Sequence, residues 1–86
     1  MNVMIIKEKE VTRLINTATF QSIECYHERI ELELTNAHFE LVFHSEKQAI
    51  KCFNKIHDFL TGEYTTWDVS EADGLIKAFK DYSNES

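Results

Sequence analysis

The stretch that decides the fold reads Arg29-Ile30-Glu31-Leu32-Glu33-Leu34-Thr35-Asn36-Ala37-His38-Phe39-Glu40-Leu41-Val42-Phe43-His44-Ser45-Glu46-Lys47-Gln48-Ala49. Up to His44 its apolar residues recur at every second position, and from Ser45 onward at every third or fourth. Ile30, Leu32 and Leu34 alternate with Glu31, Glu33 and Thr35, and Phe39, Leu41 and Phe43 alternate with His38, Glu40 and Val42. Successive side chains of a strand point to opposite faces, so each run predicts a strand with one apolar face. Asn36-Ala37 suits a two-residue hairpin turn, because Asn tolerates positive φ. Ser45 then caps a helix, with Gln48 at its third position as in a capping box. Ala49, Cys52, Phe53, Ile56, Phe59 and Leu60 form one apolar stripe, and Glu46, Lys47, Lys51, Lys55 and Asp58 lie on other faces. This helix covers residues 45–61, and Gly62 follows where a left-handed residue commonly ends a helix.

Upstream, Ile23 and Cys25 alternate with Ser22, Glu24 and Tyr26, and His27-Glu28 supplies a second two-residue turn. A meander over residues 21–26, 29–35 and 38–44 results. Val3 to Ile6 reads as a further strand. Val11, Leu14 and Ile15 fit either a short helix or a strand, and β-branched density beside the Lys7-Glu8-Lys9-Glu10 break favours a hairpin. After Gly62, residues 63–69 form a connection of undefined shape. Ser70 is placed to cap a second short helix carrying Leu75, Ile76, Phe79 and Tyr82, with Gly74 as a weak point. The expected fold is α+β: an antiparallel meander of about four to five strands packed on one amphipathic helix, with a short C-terminal helix. Residues 1–82 make a single domain, and 83–86 a frayed tail.

Composition excludes several functions. Fifteen acidic residues against nine basic ones give a net charge of −6. Nucleic-acid backbones and anionic membrane surfaces both call for the opposite sign, so neither is an expected direct partner. No apolar run approaches the roughly 18 residues of a membrane span, and the first residues are too short an apolar stretch for a signal peptide. Two cysteines without a CxxC spacing form no disulfide framework, which points to a reducing, cytoplasmic setting. Cys25 and Cys52 both point inward, where free cysteines act as small hydrophobes. Neither glycine belongs to a phosphate-cradling loop, and no nucleophile, base and orienter assemble locally. No catalytic residue and no cofactor is therefore assigned.

The turns also imply cross-strand partners. A turn at Asn36-Ala37 puts Glu33 opposite Glu40 and Leu32 opposite Leu41. A turn at His27-Glu28 puts Glu24 opposite Glu31 and Ile23 opposite Leu32. Either register collects Glu24, Glu31, Glu33 and Glu40 on one outward face, with carboxylates about 5 Å apart, an unfavourable arrangement. Residues 18–44 carry five acids and one Arg, and residues 63–86 six acids and two Lys, so each region is −4. Such a face keeps a small domain soluble, or it docks on a basic partner, with nucleic-acid mimicry as the extreme case. His38, Glu40 and His44 share the same face, but same-face residues along a strand stand about 7 Å apart, too far to converge on one metal ion. Trp67, near Tyr64, closes one end of the core or serves as an interface anchor.

The run Leu14-Ile15-Asn16, then Gln21-Ser22-Ile23-Glu24, the alternating strands and the capped helix resemble small accessory proteins of phages, prophages and plasmids of Gram-positive bacteria. The likeness covers residues 14–61 and lies in layout, without a diagnostic motif. It implies a protein of a bacterial cytoplasm that acts by binding host or phage proteins; inhibitors of defence nucleases, anti-CRISPR proteins among them, are one such class. The expected function is thus non-catalytic binding of a basic protein, such as a nucleic-acid-binding enzyme. Glu24, Glu31, Glu33 and Glu40 supply charge, and Tyr64 and Trp67 an apolar anchor. The alternative is a self-associating subunit, pairing through a sheet edge or the C-terminal helix, whose acidic face is only solvated.

Overall fold

Period-two patterning governs more of the chain than the meander alone. The computed structural model describes residues 2–8, 10–35, 37–62 and 65–80. Its elements are β1 (Val3–Glu8), β2 (Val11–Asn16), a 3₁₀ turn (Thr17–Thr19), β3 (Phe20–Tyr26), β4 (Arg29–Leu34), β5 (His38–Phe43), α1 (Glu46–Thr61), β6 (Thr66–Asp68), a second 3₁₀ turn (Val69–Glu71) and β7 (Leu75–Lys80). The fold is α+β, but among the described residues seven strands form two sheets, where about four to five strands were expected. One sheet has the order β2-β1-β6 and the other β3-β4-β5-β7. The first hairpin, β1–β2, pairs Glu8 with Val11 and takes up the hairpin reading of residues 8–16. It does not extend the meander; β6 joins its far side in parallel, pairing Val3 with Thr66.

Among the described residues there is no short C-terminal helix. Residues 75–80 are instead a strand on the open edge of β5. The misreading has a specific cause. A bulge between Val42 and Phe43 sets Phe43 opposite Leu75 but Val42 opposite Lys77, leaving Ile76 as the extra residue. The inward positions Leu75 and Ala78 are therefore three apart, a step that imitates a helical period. Ser70 lies inside the second 3₁₀ turn, which Asp68 caps by accepting the Ser70 N–H. Tyr64, Tyr82 and the expected tail 83–86 lie outside the described residues.

The helix forms as its pattern predicts. The Ser45 hydroxyl oxygen accepts the Gln48 N–H at 3.2 Å, and Ala49, Cys52, Ile56 and Phe59 are buried. They cover the inner face of β3, β4 and β5. Gly62 departs from expectation, for its φ of −97° is open to any residue. The left-handed glycine is Gly74, at φ +78°, in the turn that leads into β7.

Both sheets and the helix share one core. Ile30, Leu32, Leu34, Phe39, Leu41 and Phe43 meet Met4, Ile6 and Ile15 of the hairpin. Burial of a large apolar side chain contributes about 1.5–3 kcal/mol, so these strands and α1 supply most of the driving force.

Candidate protein-binding face

The register fixes what the outward face of the four-stranded sheet displays. The β3–β4 hairpin pairs as read: Glu24 opposite Glu31, Ile23 opposite Leu32, and Tyr26 opposite Arg29 across the His27-Glu28 turn. His27 takes the positive φ, at 53°. The β4–β5 register differs by two residues. Glu31, not Glu33, faces Glu40; Leu32 faces Phe39; and Glu33 faces His38. The Leu34 N–H donates to the Ala37 carbonyl at 2.8 Å, so Leu34 and Ala37 flank the connection, which lies one residue earlier in the chain than read. Thr35 is drawn away to the Thr19 carbonyl, which its N–H reaches at 2.8 Å. A shift of two keeps every side chain on its face, so the buried set is unaffected while the charge pairing changes.

The corrected register aligns Glu24, Glu31 and Glu40 in one row across three strands. Direct opposition of like charges destabilises a sheet. Here diagonal partners offset it. Arg29 Nη1 lies 2.9 Å from Glu40 Oε1, and His38 Nε2 lies 3.2 Å from Glu31 Oε1. The Tyr26 hydroxyl donates to the other oxygen of Glu31. All three sit at the diagonal spacing that long side chains span. Glu40 is thereby only 14% exposed at its side chain and Glu31 24%. Glu24 and Glu33 are exposed and have no hydrogen-bond or ion-pair partner among the described residues.

The four glutamates therefore share a face but fall into two kinds. Glu31 and Glu40 are braced, and Glu24 and Glu33 point into solvent. Tyr26, Arg29 and His38 were not assigned to the site from sequence. The signal for Tyr26 and Arg29 was present in their opposition across the His27-Glu28 turn; that for His38 needed the true β4–β5 register. Among the described residues no cluster of His, Cys, Asp and Glu is arranged to hold a metal ion.

Trp67 belongs to a different place. It pairs with Met4 across β1 and β6, and its ring packs on Phe59 with centroids 5.7 Å apart. Phe59 is on the helix, which covers the inner face of the four-stranded sheet, so Trp67 and the glutamate row lie on opposite sides of that sheet. Beside Trp67 a half-open cleft of about 290 Å³ is lined by Lys55, Asp58, Phe59 and Thr66. Cys25 is half-buried and Cys52 buried, both as free thiols. Burial pushes the Cys52 thiol up to about 12, and burial together with Glu46 raises Cys25. A raised thiol is a poor nucleophile.

No helix among the described residues is long and apolar enough to cross a membrane. Comparison of the chain with protein-family models, with curated proteins and with solved structures gives no match.

Proposed function

We propose that this chain is a non-catalytic binding protein whose working surface is the outward face of β3, β4 and β5, presented to a basic protein partner. The observation that carries this reading is the division of the four glutamates. Glu31 and Glu40 are held by Tyr26, His38 and Arg29. Glu24 and Glu33 project from that stiff base without hydrogen-bond or ion-pair partners among the described residues. Charges on a rigid sheet lose little side-chain freedom on docking, and complementary potential raises encounter rates and fixes orientation. Tyr26, 44% exposed, and Arg29 add the residue types most enriched in binding hot spots. The resemblance to mobile-element accessory proteins accords with such a role, and a nucleic-acid-binding enzyme offers the basic surface it calls for.

The test is capture from a bacterial lysate, read by quantitative mass spectrometry, with wild type beside a Glu24→Gln, Glu33→Gln double variant. These two residues support no contact in the fold, so their loss leaves stability intact. A basic protein retained by wild type, released as salt rises and lost with the double variant is the expected result. Equal retention by both proteins at every salt concentration would overturn the reading.

A further inference from the structure

The β2 edge is the second surface that calls for a partner. Among the described residues β2 pairs within its sheet with β1 alone. Its free edge can be assigned residue by residue. The N–H of Thr17 donates to Asn2 O, whereas the N–H groups of Val3 and Lys7 turn the other way, to Thr65 O and the Ser70 hydroxyl. Antiparallel ladders alternate, so Asn16, Leu14 and Thr12, opposite Val3, Ile5 and Lys7, aim their backbone N–H and C=O groups away from β1, the Asn16 carbonyl accepting the Thr19 hydroxyl at 2.7 Å. An unpaired edge of this kind is a template for another strand.

Among the described residues nothing blunts that edge along Thr12 and Leu14. The strand Val11-Thr12-Arg13-Leu14-Ile15-Asn16 has no proline and no lysine. Its one charge, Arg13, is turned under the sheet, with its guanidinium carbon 5.8 Å from the centre of the Phe39 ring. On the outer face Leu14 is 70% exposed, the highest value among the large exposed apolar residues, and it lies beside half-buried Ile5. A leucine in this position has no role in the core.

We infer that two copies of this chain pair through β2, antiparallel about a two-fold axis at Leu14. Charge selects both the edge and the register. Residues 1–17 carry Lys7, Lys9 and Arg13 against Glu8 and Glu10, a net +1 in a chain of net −6. Here two copies meet without setting acid against acid. The open edge of β3 lies in a segment of net −4 and displays Glu24. On β2, a dyad at Arg13 would set two guanidinium groups directly opposite each other. A dyad at Leu14 sets leucine against leucine and Thr12 against Asn16 of the other copy, with Arg13 across from Ile15. Each Leu14 then exchanges N–H···O bonds with its mate, and the apolar row runs Ile5, Leu14, Leu14, Ile5 across the join. This is the self-complementary contact that two-fold symmetry requires.

Sedimentation equilibrium up to millimolar protein, with amide hydrogen exchange, tests the pairing. Wild type should form a dimer that persists in high salt, and the amides of Thr12 and Leu14 should gain protection as concentration rises. Leu14→Lys and Leu14→Glu should each be monomeric and folded, because Leu14 is exposed; mixed in equal amounts they should associate, since opposite charges then meet at the dyad. A wild-type monomer at every concentration overturns the inference. So does a dimer that both single variants leave intact, or one in which Thr12 and Leu14 exchange at an unchanged rate. The glutamate face takes no part, so Glu24→Gln and Glu33→Gln leave this dimer unaltered.

Discussion

Gly74 stands where the side-chain amide of Gln48 would overlap any Cβ placed on it. The two residues join the turn before β7 to the first turn of α1. Gly74 also accepts the His44 N–H at 2.8 Å, and Gln48 Oε1 accepts the Ser45 hydroxyl at 3.2 Å. Gly74→Ala should destabilise the fold by about 1–2 kcal/mol, chiefly through the left-handed φ, since Gln48 can swing aside. Chemical denaturation of Gly74→Ala with and without Gln48→Ala separates the two causes. Most of the loss should remain in the double variant; full recovery would show that the clash alone was responsible.

A latch ties the first strand to the second 3₁₀ turn, and it sets limits on pH. Lys7 Nζ lies 3.1 Å from Asp68 Oδ2, the Lys7 N–H donates to Ser70 Oγ at 2.6 Å, and the Ser70 N–H donates to Asp68 Oδ1 at 2.9 Å. Burial pushes the Asp68 carboxyl up, but the hydrogen bonds from Lys7 and Ser70 outweigh it and leave it below its ordinary 3.8. The Asp68 hydrogen bond raises Lys7 above 10.5. Asp68 therefore adds stability above pH 3.8 that fades as pH falls through its lowered value, and Lys7 adds stability below 10.5 that fades as pH rises through its raised one. In Asp68→Asn both dependences should shrink. Urea midpoints of wild type and variant across pH provide the measurement; parallel curves at both extremes would show that the latch contributes nothing.

The thiols should be silent in the native protein. Cys52 is buried with its value pushed up to about 12, and burial raises Cys25 as well. Ellman's reagent at pH 8 should label neither residue rapidly, and both should react at once in denaturant. Fast labelling of folded Cys52 would mean that α1 lifts from β3 far more often than its packing implies.

Removing one brace of the glutamate row should cost more than removing both members of the pair. Arg29→Gln strands the largely covered Glu40 and should destabilise by about 1 kcal/mol, whereas Arg29→Gln with Glu40→Gln should recover part of that loss. The double-mutant cycle, read by thermal or urea unfolding, gives the coupling directly; a coupling of zero would make the 2.9 Å contact incidental.

The apolar face of each strand could be read from sequence because burial follows parity. Ile30, Leu32, Leu34, Phe39, Leu41 and Phe43 are all buried, although the β4–β5 register was two residues out. Parity survives an even shift and charge pairing does not, which is why the row Glu24–Glu31–Glu40 became visible only in the structure. The second sheet was hidden for another reason. Thr66–Asp68 is three residues long and owes its strand form to β1, a partner far away in the chain. A bulge disguised β7. Even the glycine signals were partly exchanged, since Gly74 and not Gly62 holds the left-handed position.

The parallel seam between β1 and β6 also orders events in time. Lys7 and Ser70 bond across 63 residues, so the three-stranded sheet is completed only after β6 and the second 3₁₀ turn have been made. During synthesis the β1–β2 hairpin precedes β6 and waits with one edge open while β3, β4, β5 and α1 gather their local contacts. High contact order of this kind slows folding, because loop closure precedes any reward. β1, made well before β6, thus gains its second neighbour only late in the order of synthesis.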